Sequence, residues 1–216
     1  MTSRPVVVDM NHEDAFVNGK DVADFKAAYK FGIRGIVHKA AEGVHFVDPL
    51  YHVRKQRALD AGMLWGAYFF MRPGDVGAQV SKFLEVVGVS PKTDTRMVLD
   101  YEDPKLSLWQ AERWLALVHA ATGQTPWLYS GFLVREQTDR RDPGPALSQY
   151  PLWLAEYSTV ERIPRPWKTS VLWQYSETGV VPGIGHREDL DSFDGTDDQL
   201  KAAWLDSPAS ATEAVA

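Results

Sequence analysis

Strand-like and helix-like segments alternate along most of this 216-residue chain, and this alternation constrains the fold more than any other feature. Eight short segments are rich in Val, Ile, Leu and aromatic residues, as expected of strands that are covered on both faces. They span residues 5–9, 33–39, 63–70, 97–101, 126–129, 152–156, 170–175 and 188–193. Helices between successive strands favour parallel pairing, because a parallel crossover needs a long connection.

The helices of the first half have recognisable ends, with capping residues before apolar-periodic segments and glycines after them. The predicted starts are Asp21, Asp48 with Pro49, Asp75, and a capping box of Ser107 with Gln110; the predicted ends are Gly32, Gly62, Gly88 and Gly123. After Tyr129 only residues 131–138 predict a further, short helix. We therefore expect an α/β fold, an irregular TIM-barrel-like (β/α) barrel of about eight strands, the last few joined without full helices.

Composition excludes several classes of function. The net charge is −6 and no basic stripe is present, so we expect no nucleic-acid partner. No segment approaches the roughly 20 apolar residues of a membrane span, so we expect no membrane contact. The chain has no cysteine, and its six histidines lack tight ligand spacing, so we expect neither a metal nor a cofactor. We expect one domain over residues 1–205 and a disordered tail over 206–216.

Polar and aromatic residues follow most of the predicted strands. Active sites of such barrels form at the C-terminal ends of the strands. The candidates are Asp9, Glu42, Tyr68, Arg72, Asp100, Glu102, Tyr129, Trp153, Tyr157, Gln174, Asp189 and Asp191. Other interpretations stay open: Asp9 could cap a turn, Glu42 could pair with Lys39, and at least half of the aromatic residues could belong to the barrel core.

Asp100 and Glu102 form the sharpest pair among these candidates. Side chains at positions i and i+2 of a strand share a face, with Cα atoms roughly 6.5 Å apart. Two carboxylates this close raise the pKa of one of them. Glycosidic cleavage requires a protonated acid together with a second group that stabilises an oxocarbenium-like transition state. The pair therefore favours glycoside hydrolysis, although the same segment is also compatible with a solvated turn.

The strand ends together resemble those of the glycoside hydrolase family 25 lysozymes, also called the Chalaropsis type. The resemblance extends from about residue 6 to residue 205, nearly the whole chain, as a series of short fragments in a consistent order. It rests on Val-Asp at 8–9, Lys-Ala-Ala-Glu-Gly at 39–43, Phe-Val-Asp-Pro at 46–49, Gly-Ala-Tyr-Phe-Phe at 66–70 with Arg-Pro at 72–73, Leu-Asp-Tyr-Glu at 99–102, Leu-Trp-Leu-Ala at 152–155, Leu-Trp-Gln-Tyr-Ser at 172–176, Val-Pro-Gly-Ile at 181–184 and Asp-Leu-Asp at 189–191.

This resemblance implies a lysozyme that cleaves the β-1,4 bond between N-acetylmuramic acid and N-acetylglucosamine in peptidoglycan. By position, Glu102 matches the general acid, Asp100 the carboxylate beside it, and Asp9 and Asp189 the supporting acids. We expect the remaining candidates to bind the glycan strand: Glu42, Tyr68, Arg72, Tyr129, Trp153, Tyr157, Gln174 and Asp191. Four residues depart from the usual family pattern: Asn11, Ala41, Phe69 and Asp191.

Because Asp100 and Glu102 leave the same face of one strand, they are poorly placed to act on opposite sides of a sugar. This favours substrate assistance by the acetamido oxygen, with direct displacement opposite Asp9 or Asp189 as the fallback. A catalytically silent glycan-binding barrel of a virion or cell wall, and a chitinase-like hydrolase, stay open as alternatives. We expect a monomer. The start of the chain lacks a signal-peptide pattern, so we expect the protein to stay in the cytoplasm until release at lysis and then to act on the bacterial wall, as phage lysins do.

Overall fold

The computed structural model describes residues 4–88, 94–140 and 146–206 and contains a closed eight-stranded barrel. The barrel strands are β1 (Val6–Met10), β4 (Ile33–Glu42), β6 (Leu64–Phe70), β7 (Thr95–Asp100), β8 (Trp127–Ser130), β9 (Leu152–Ala155), β10 (Leu172–Val181) and β11 (Gly185–Ser192). Two short strands form a separate hairpin, β2 (Phe16–Val17) with β3 (Lys20–Asp21), and β5 (Phe46–Val47) extends the edge of β4. The predicted irregular α/β barrel is confirmed.

The strands run parallel from β1 through β4, β6, β7, β8, β9 and β10, and only β11 is antiparallel to both of its neighbours. β11 follows β10 through a tight hairpin and returns beside β1, which closes the barrel. Each of the eight predicted strands lies in the barrel, and the last ones are joined without full helices, as expected.

In the described part of the chain, six helices accompany the strands: α1 (Phe25–Phe31), α2 (Tyr51–Asp60), α3 (Val76–Val87), α4 (Leu108–Thr122), α5 (Phe132–Arg140) and α6 (Asp197–Trp204), with a 3-10 turn at Leu147–Gln149. The predicted caps of α3 and α4 are confirmed. The Asp75 carboxylate accepts from the backbone N–H of Ala78 at 2.9 Å, and Ser107 forms a capping box with Gln110. Among the helices described, none combines the length and apolar character needed to cross a membrane.

Two predicted helix starts were wrong. Helix α1 is capped by Asp24, because the Asp21 carboxylate is bound by Arg54 and Arg57 at 3.0 and 2.6 Å. Helix α2 begins at Tyr51, later than Asp48 and Pro49 suggested. Asp48 instead accepts from the backbone N–H of Leu50 at 2.9 Å and so stabilises the turn before the helix.

Two apolar layers stabilise the barrel. Most helices pack their apolar faces on the outside of the strands, as the periodic sequence pattern predicts. The interior is filled by Val7, Val37, Val98, Trp127, Trp153, Leu172, Leu200 and Trp204, among others. The last two come from α6, a helix that the sequence analysis missed, and Trp204 is fully buried.

Helix α6 closes the end of the barrel opposite the C-terminal strand ends. The Trp204 indole donates to the backbone carbonyl of Trp65 at 2.8 Å and meets the Trp127 ring edge-on at 5.3 Å. A Cβ at Gly35 or Gly66 would lie 3.2 Å from the same indole, so both glycines leave room for it. The single-domain prediction stays a prediction, and residues 207–216 of the expected disordered tail lie outside the described residues.

Candidate active site

A cavity of about 250 Å³ opens at the C-terminal ends of the parallel strands, an end that we call the mouth. Strand alternation builds it, because every second side chain of a barrel strand points inward. Its lining residues are Asp9, Asn11, Lys39, Tyr68, Phe70, Asp100, Glu102, Tyr129, Trp153 and Asp189. All four predicted catalytic carboxylates therefore meet in one cavity, together with three of the predicted glycan-binding residues.

The carboxylates occupy two opposite sides of the mouth. Asp100 ends β7 and Glu102 follows it, whereas Asp189 lies on β11, four strands away in either direction around the barrel. Asp9 of β1 pairs directly with Asp189 in the strand register. A ligand in the cavity would thus have one pair of acids on each side.

Local hydrogen bonds fix the segment that carries Asp100 and Glu102. The Tyr101 backbone N–H donates to the Tyr129 carbonyl at 2.9 Å, and its hydroxyl donates to Gln137 at 2.6 Å on the outer side of the barrel. Tyr101 is fully buried, so the residues on either side of it share the inward face, as predicted. Asp100 is 6% exposed, whereas Glu102 is exposed at the mouth.

The two acids of this pair hold protons more tightly than usual. Burial raises the pKa of Asp100 well above its ordinary value, and the Glu102 and Asp9 carboxylates raise that pKa further, whereas Lys39 lowers it. Loss of water contact at the cavity wall also raises the pKa of Glu102. Asp100 Oδ1 is buried and has no hydrogen-bond partner among the described residues. Both shifts favour the protonated forms of these acids, and the Asp100 side chain lines the cavity.

The acids on the opposite side are also shifted. Burial, with the Asp189 carboxylate beside it, raises the pKa of Asp9 well above its ordinary value. Burial, followed by the charges of Asp14, Glu177 and Glu102, raises the pKa of Asp189 to about 6. Such clustering of shifted carboxyl groups in a cleft is typical of active sites.

Gln174 lies beneath the cavity and connects three of the predicted site residues. Its amide oxygen accepts from the hydroxyls of Tyr129 and Tyr157 at 2.9 and 2.8 Å, and its amide nitrogen donates to Asp9 at 2.7 Å. Gln174 is only 1% exposed, so in this structure it positions Asp9 from below. Tyr157 is half exposed at the rim and remains available to a ligand.

Asp191 is also beneath the cavity. It is fully buried, and its carboxylate accepts from the Trp153 indole at 2.6 Å. The contact fixes the indole, which forms an edge-on pair with Tyr129 at 4.7 Å. Asp191 therefore supports the cavity wall and has no exposed surface to offer a ligand.

Glu42 and Arg72 lie beside the cavity and not in its lining. Lys39 Nζ contacts Glu42 at 2.6 Å, as the alternative interpretation had it, and Arg72 binds the same carboxylate through Nε and Nη2 at 2.8 and 2.6 Å. Arg72 also reaches Asp103 at 3.2 Å. This row of charges borders a neighbouring depression of about 460 Å³. Glu42 and Arg72 can contact a glycan only if the glycan extends beyond the cavity, whereas Lys39 lines the cavity itself.

The departures from the family pattern fall at different depths. Asn11 lines the cavity, whereas Phe69 is buried in the outer layer and stacks on Trp114 at 5.7 Å. Ala41 is likewise fully buried. Asn11, Lys39 and Phe70 were not among the predicted site residues. Asn11 and Phe70 lie two positions after Asp9 and Tyr68, so strand alternation could have found them. In the described residues, no three His, Asp or Glu side chains are grouped to hold a metal ion.

Asp189→Asn should raise stability near neutral pH. A carboxyl group whose pKa is raised on folding stabilises the protein below the unfolded pKa and loses that contribution as pH rises to the folded pKa. For Asp189 the window runs from its ordinary value of 3.8 to about 6. The unfolding midpoint of the variant should match wild type below pH 4 and exceed it above pH 6.

Other groups make contributions to stability that change with pH in the opposite direction. Variant and wild type share these groups, so the difference between the two proteins reports on Asp189. His38, for example, has its pKa lowered to about 4 by burial, so its contribution to stability grows as pH rises. Thermal unfolding at three pH values between 3.5 and 7.5 measures the difference. A constant offset between the two proteins at all three values would show that Asp189 titrates normally.

Comparison with known proteins relates the chain to one family. Residues 13–184 match the model described as Glycosyl hydrolases family 25. The Uncharacterized protein YegX of Escherichia coli O157:H7 is 33% identical over 174 residues, covering 76% of this chain and 60% of that protein. The Autolytic lysozyme of Clostridium acetobutylicum is 25% identical over 214 residues, covering 88% of this chain and 62% of that protein. The chain thus spans about 60% of the length of these curated relatives.

A solved structure supports the same relation at the level of the fold. The bacterial lysozyme from Streptomyces coelicolor has a TM-score of 0.82 with this chain at 24% sequence identity. The match covers 96% of this chain and 100% of that one. The two proteins therefore share the barrel fold.

Proposed function

Since this chain belongs to family 25 of the glycosyl hydrolases, we propose that it is a lysozyme acting on the bacterial cell wall. Its substrate would be the glycan strand of peptidoglycan, cleaved at the β-1,4 bond between N-acetylmuramic acid and N-acetylglucosamine. The observation that carries the proposal is the meeting of Asp100 and Glu102 with Asp9 and Asp189 in one cavity. Lysozymes among the relatives support it.

In this proposal Glu102 is the general acid. It lies at the exposed edge of the cavity, where a glycosidic oxygen can reach it, and its pKa is raised by loss of water contact. A bound glycan would exclude more water and raise that pKa further, which keeps the carboxyl group protonated at the operating pH. Glu102 then gives its proton to the leaving oxygen as the C1–O bond breaks.

Asp100 would orient the acetamido group of the sugar. Asp100 lines the same cavity, and when Glu102 carries the proton of the pair the Asp100 carboxylate can accept the acetamido N–H; nearby Lys39 opposes the rise in its pKa. The acetamido carbonyl oxygen forms a bond to C1 as the glycosidic bond breaks, and the positive charge lies beside the Asp100 carboxylate. Water then attacks C1, loses its proton to Glu102 and releases the acetamido group.

Digestion of purified peptidoglycan tests the activity. The new reducing ends are reduced with borohydride and identified. They should derive from N-acetylmuramic acid. Glucosamine ends would instead indicate a glucosaminidase, cleavage of chitin oligomers alone would indicate a chitinase-like enzyme, and no new ends would indicate a silent barrel. NMR of the first product tests the mechanism, because substrate assistance retains the anomeric configuration; inversion would favour direct displacement from the Asp9 and Asp189 side.

A further inference from the structure

A second cavity, of about 780 Å³, lies outside the barrel against β10. Gln174 points into the barrel, so the neighbouring Trp173 points outward, and β10 is followed by a hairpin instead of a covering helix. Residues 161–171 form one wall of this cavity, and Arg4 with Phe193 and Asp194 forms another. We call it the outer groove. None of the residues that line the catalytic cavity contributes to it.

The outer groove combines flat aromatic surfaces with polar groups. Trp173 and Phe193 line it and are partly exposed, whereas Trp167, which also lines it, is only 9% exposed. The two indole N–H groups donate inward, to the carbonyls of Tyr150 and Glu156 at 2.8 Å each, so both rings are held in place. Rigid rings lose little conformational entropy when a ligand packs on them.

Polar side chains border these rings. Glu161 accepts from the Ser170 hydroxyl, Arg4 pairs with Asp194 at 2.9 Å, and exposed Lys168 has no ion pair among the described residues. A pyranose ring presents apolar C–H faces and hydroxyl groups at its edge, so it needs a flat apolar surface surrounded by hydrogen-bonding groups. The groove offers both, and its volume lies within the roughly 300–1,000 Å³ of ordinary ligand sites.

We propose that the outer groove binds a second stretch of peptidoglycan glycan strand while the mouth holds the stretch to be cleaved. The proposal rests on the proposed function, because both sites take the same polymer. Two attachments to one insoluble polymer act together, since binding at the first raises the effective concentration at the second. The groove would therefore increase retention on the wall without changing the chemistry at the mouth.

The test separates retention from catalysis. In a Glu102→Gln background, which prevents digestion, Trp173→Ala should weaken co-sedimentation with insoluble peptidoglycan at least tenfold. In the Glu102 background, the same change should leave kcat/KM on a soluble peptidoglycan tetrasaccharide within twofold of the parent. Trp109→Ala, which removes a 62% exposed tryptophan at the start of α4, is the matched control and should change neither measurement.

A second variant covers the case in which Trp173→Ala unfolds the protein and lowers both measurements. Thr169 is exposed in the groove wall, so Thr169→Arg should obstruct the groove while leaving the core unchanged. Wall binding by Thr169→Arg equal to that of its parent would overturn the proposal. So would a loss seen with intact peptidoglycan but not with glycan strands freed of stem peptides by an amidase, because the groove would then bind peptide. An inactive parent would refute the proposed lysozyme activity, while sedimentation would still report on the groove.

Discussion

Glu102→Gln is expected to slow peptidoglycan cleavage by about 1,000-fold, within the range that general acid catalysis contributes. The amide has nearly the same shape as the carboxyl group but cannot transfer a proton to the glycosidic oxygen. Because Glu102 is exposed and forms no hydrogen bond or ion pair with the described residues, the variant should unfold at nearly the wild-type temperature. Release of reducing ends from purified peptidoglycan measures the rate, and thermal unfolding checks the fold.

Asp103→Asn is the matched control for this experiment. Asp103 follows Glu102 in the chain, but its carboxylate lies outside the cavity lining and contacts Arg72 at 3.2 Å. Loss of such a partly exposed ion pair costs little, so activity should stay within about threefold of wild type. Similar activity of Glu102→Gln and wild type would assign the acid role to another carboxyl group, with Asp100 the first candidate because of its raised pKa.

Trp204→Ala is expected to lower the free energy of unfolding by about 3–5 kcal/mol, the usual cost of emptying a buried tryptophan site. The side chain is fully buried at the closed end of the barrel and contacts strands that are far apart in sequence. Neighbouring glycines cannot fill the space, and the Trp65 carbonyl would lose its indole donor. Urea denaturation near pH 6 measures the change.

Leu205→Ala serves as the control for the same helix. Leu205 is the next residue but is 37% exposed, so its truncation should cost about 1 kcal/mol or less. Equal losses of unfolding free energy for the two substitutions would mean that the buried Trp204 indole has no special share in the stability that α6 provides. A loss below about 1 kcal/mol for Trp204→Ala would contradict the view that this residue closes the barrel.

Much of the fold follows from local signals in the sequence. Strands such as β7 are buried on both faces and have an apolar centre, here residues 97–99, and Asp75 and Gly123 mark helix ends by the chemistry of their own side chains and backbone. Helix α6 has comparable signals, a Thr196–Gln199 capping box and a buried Leu200 and Trp204, but it is short and was overlooked after a region of weak helical pattern.

The site was predictable where strand alternation decides which side chain points inward. Asp9, Asp100 and Asp189 meet for that reason, although they come from three different strands. Alternation does not give depth along the barrel axis. Gln174 and Asp191 point inward as expected, yet both lie below the cavity, where they hold Asp9 and Trp153. Their depth depends on the register between β10, β11 and β1, and no local pattern encodes it.

The pairing of the first and last barrel strands also determines when the four carboxylates of the mouth can come together during synthesis. Asp9 and Asp189 are 180 positions apart in the chain, and they become neighbours only when β11 closes on β1. A ribosome that has completed the first strand must add nearly the whole barrel before that contact can form, and such long-range contacts form late in folding. Unfinished chains therefore lack the complete set of acids, and the proposed lysozyme activity would arise only with the closed barrel.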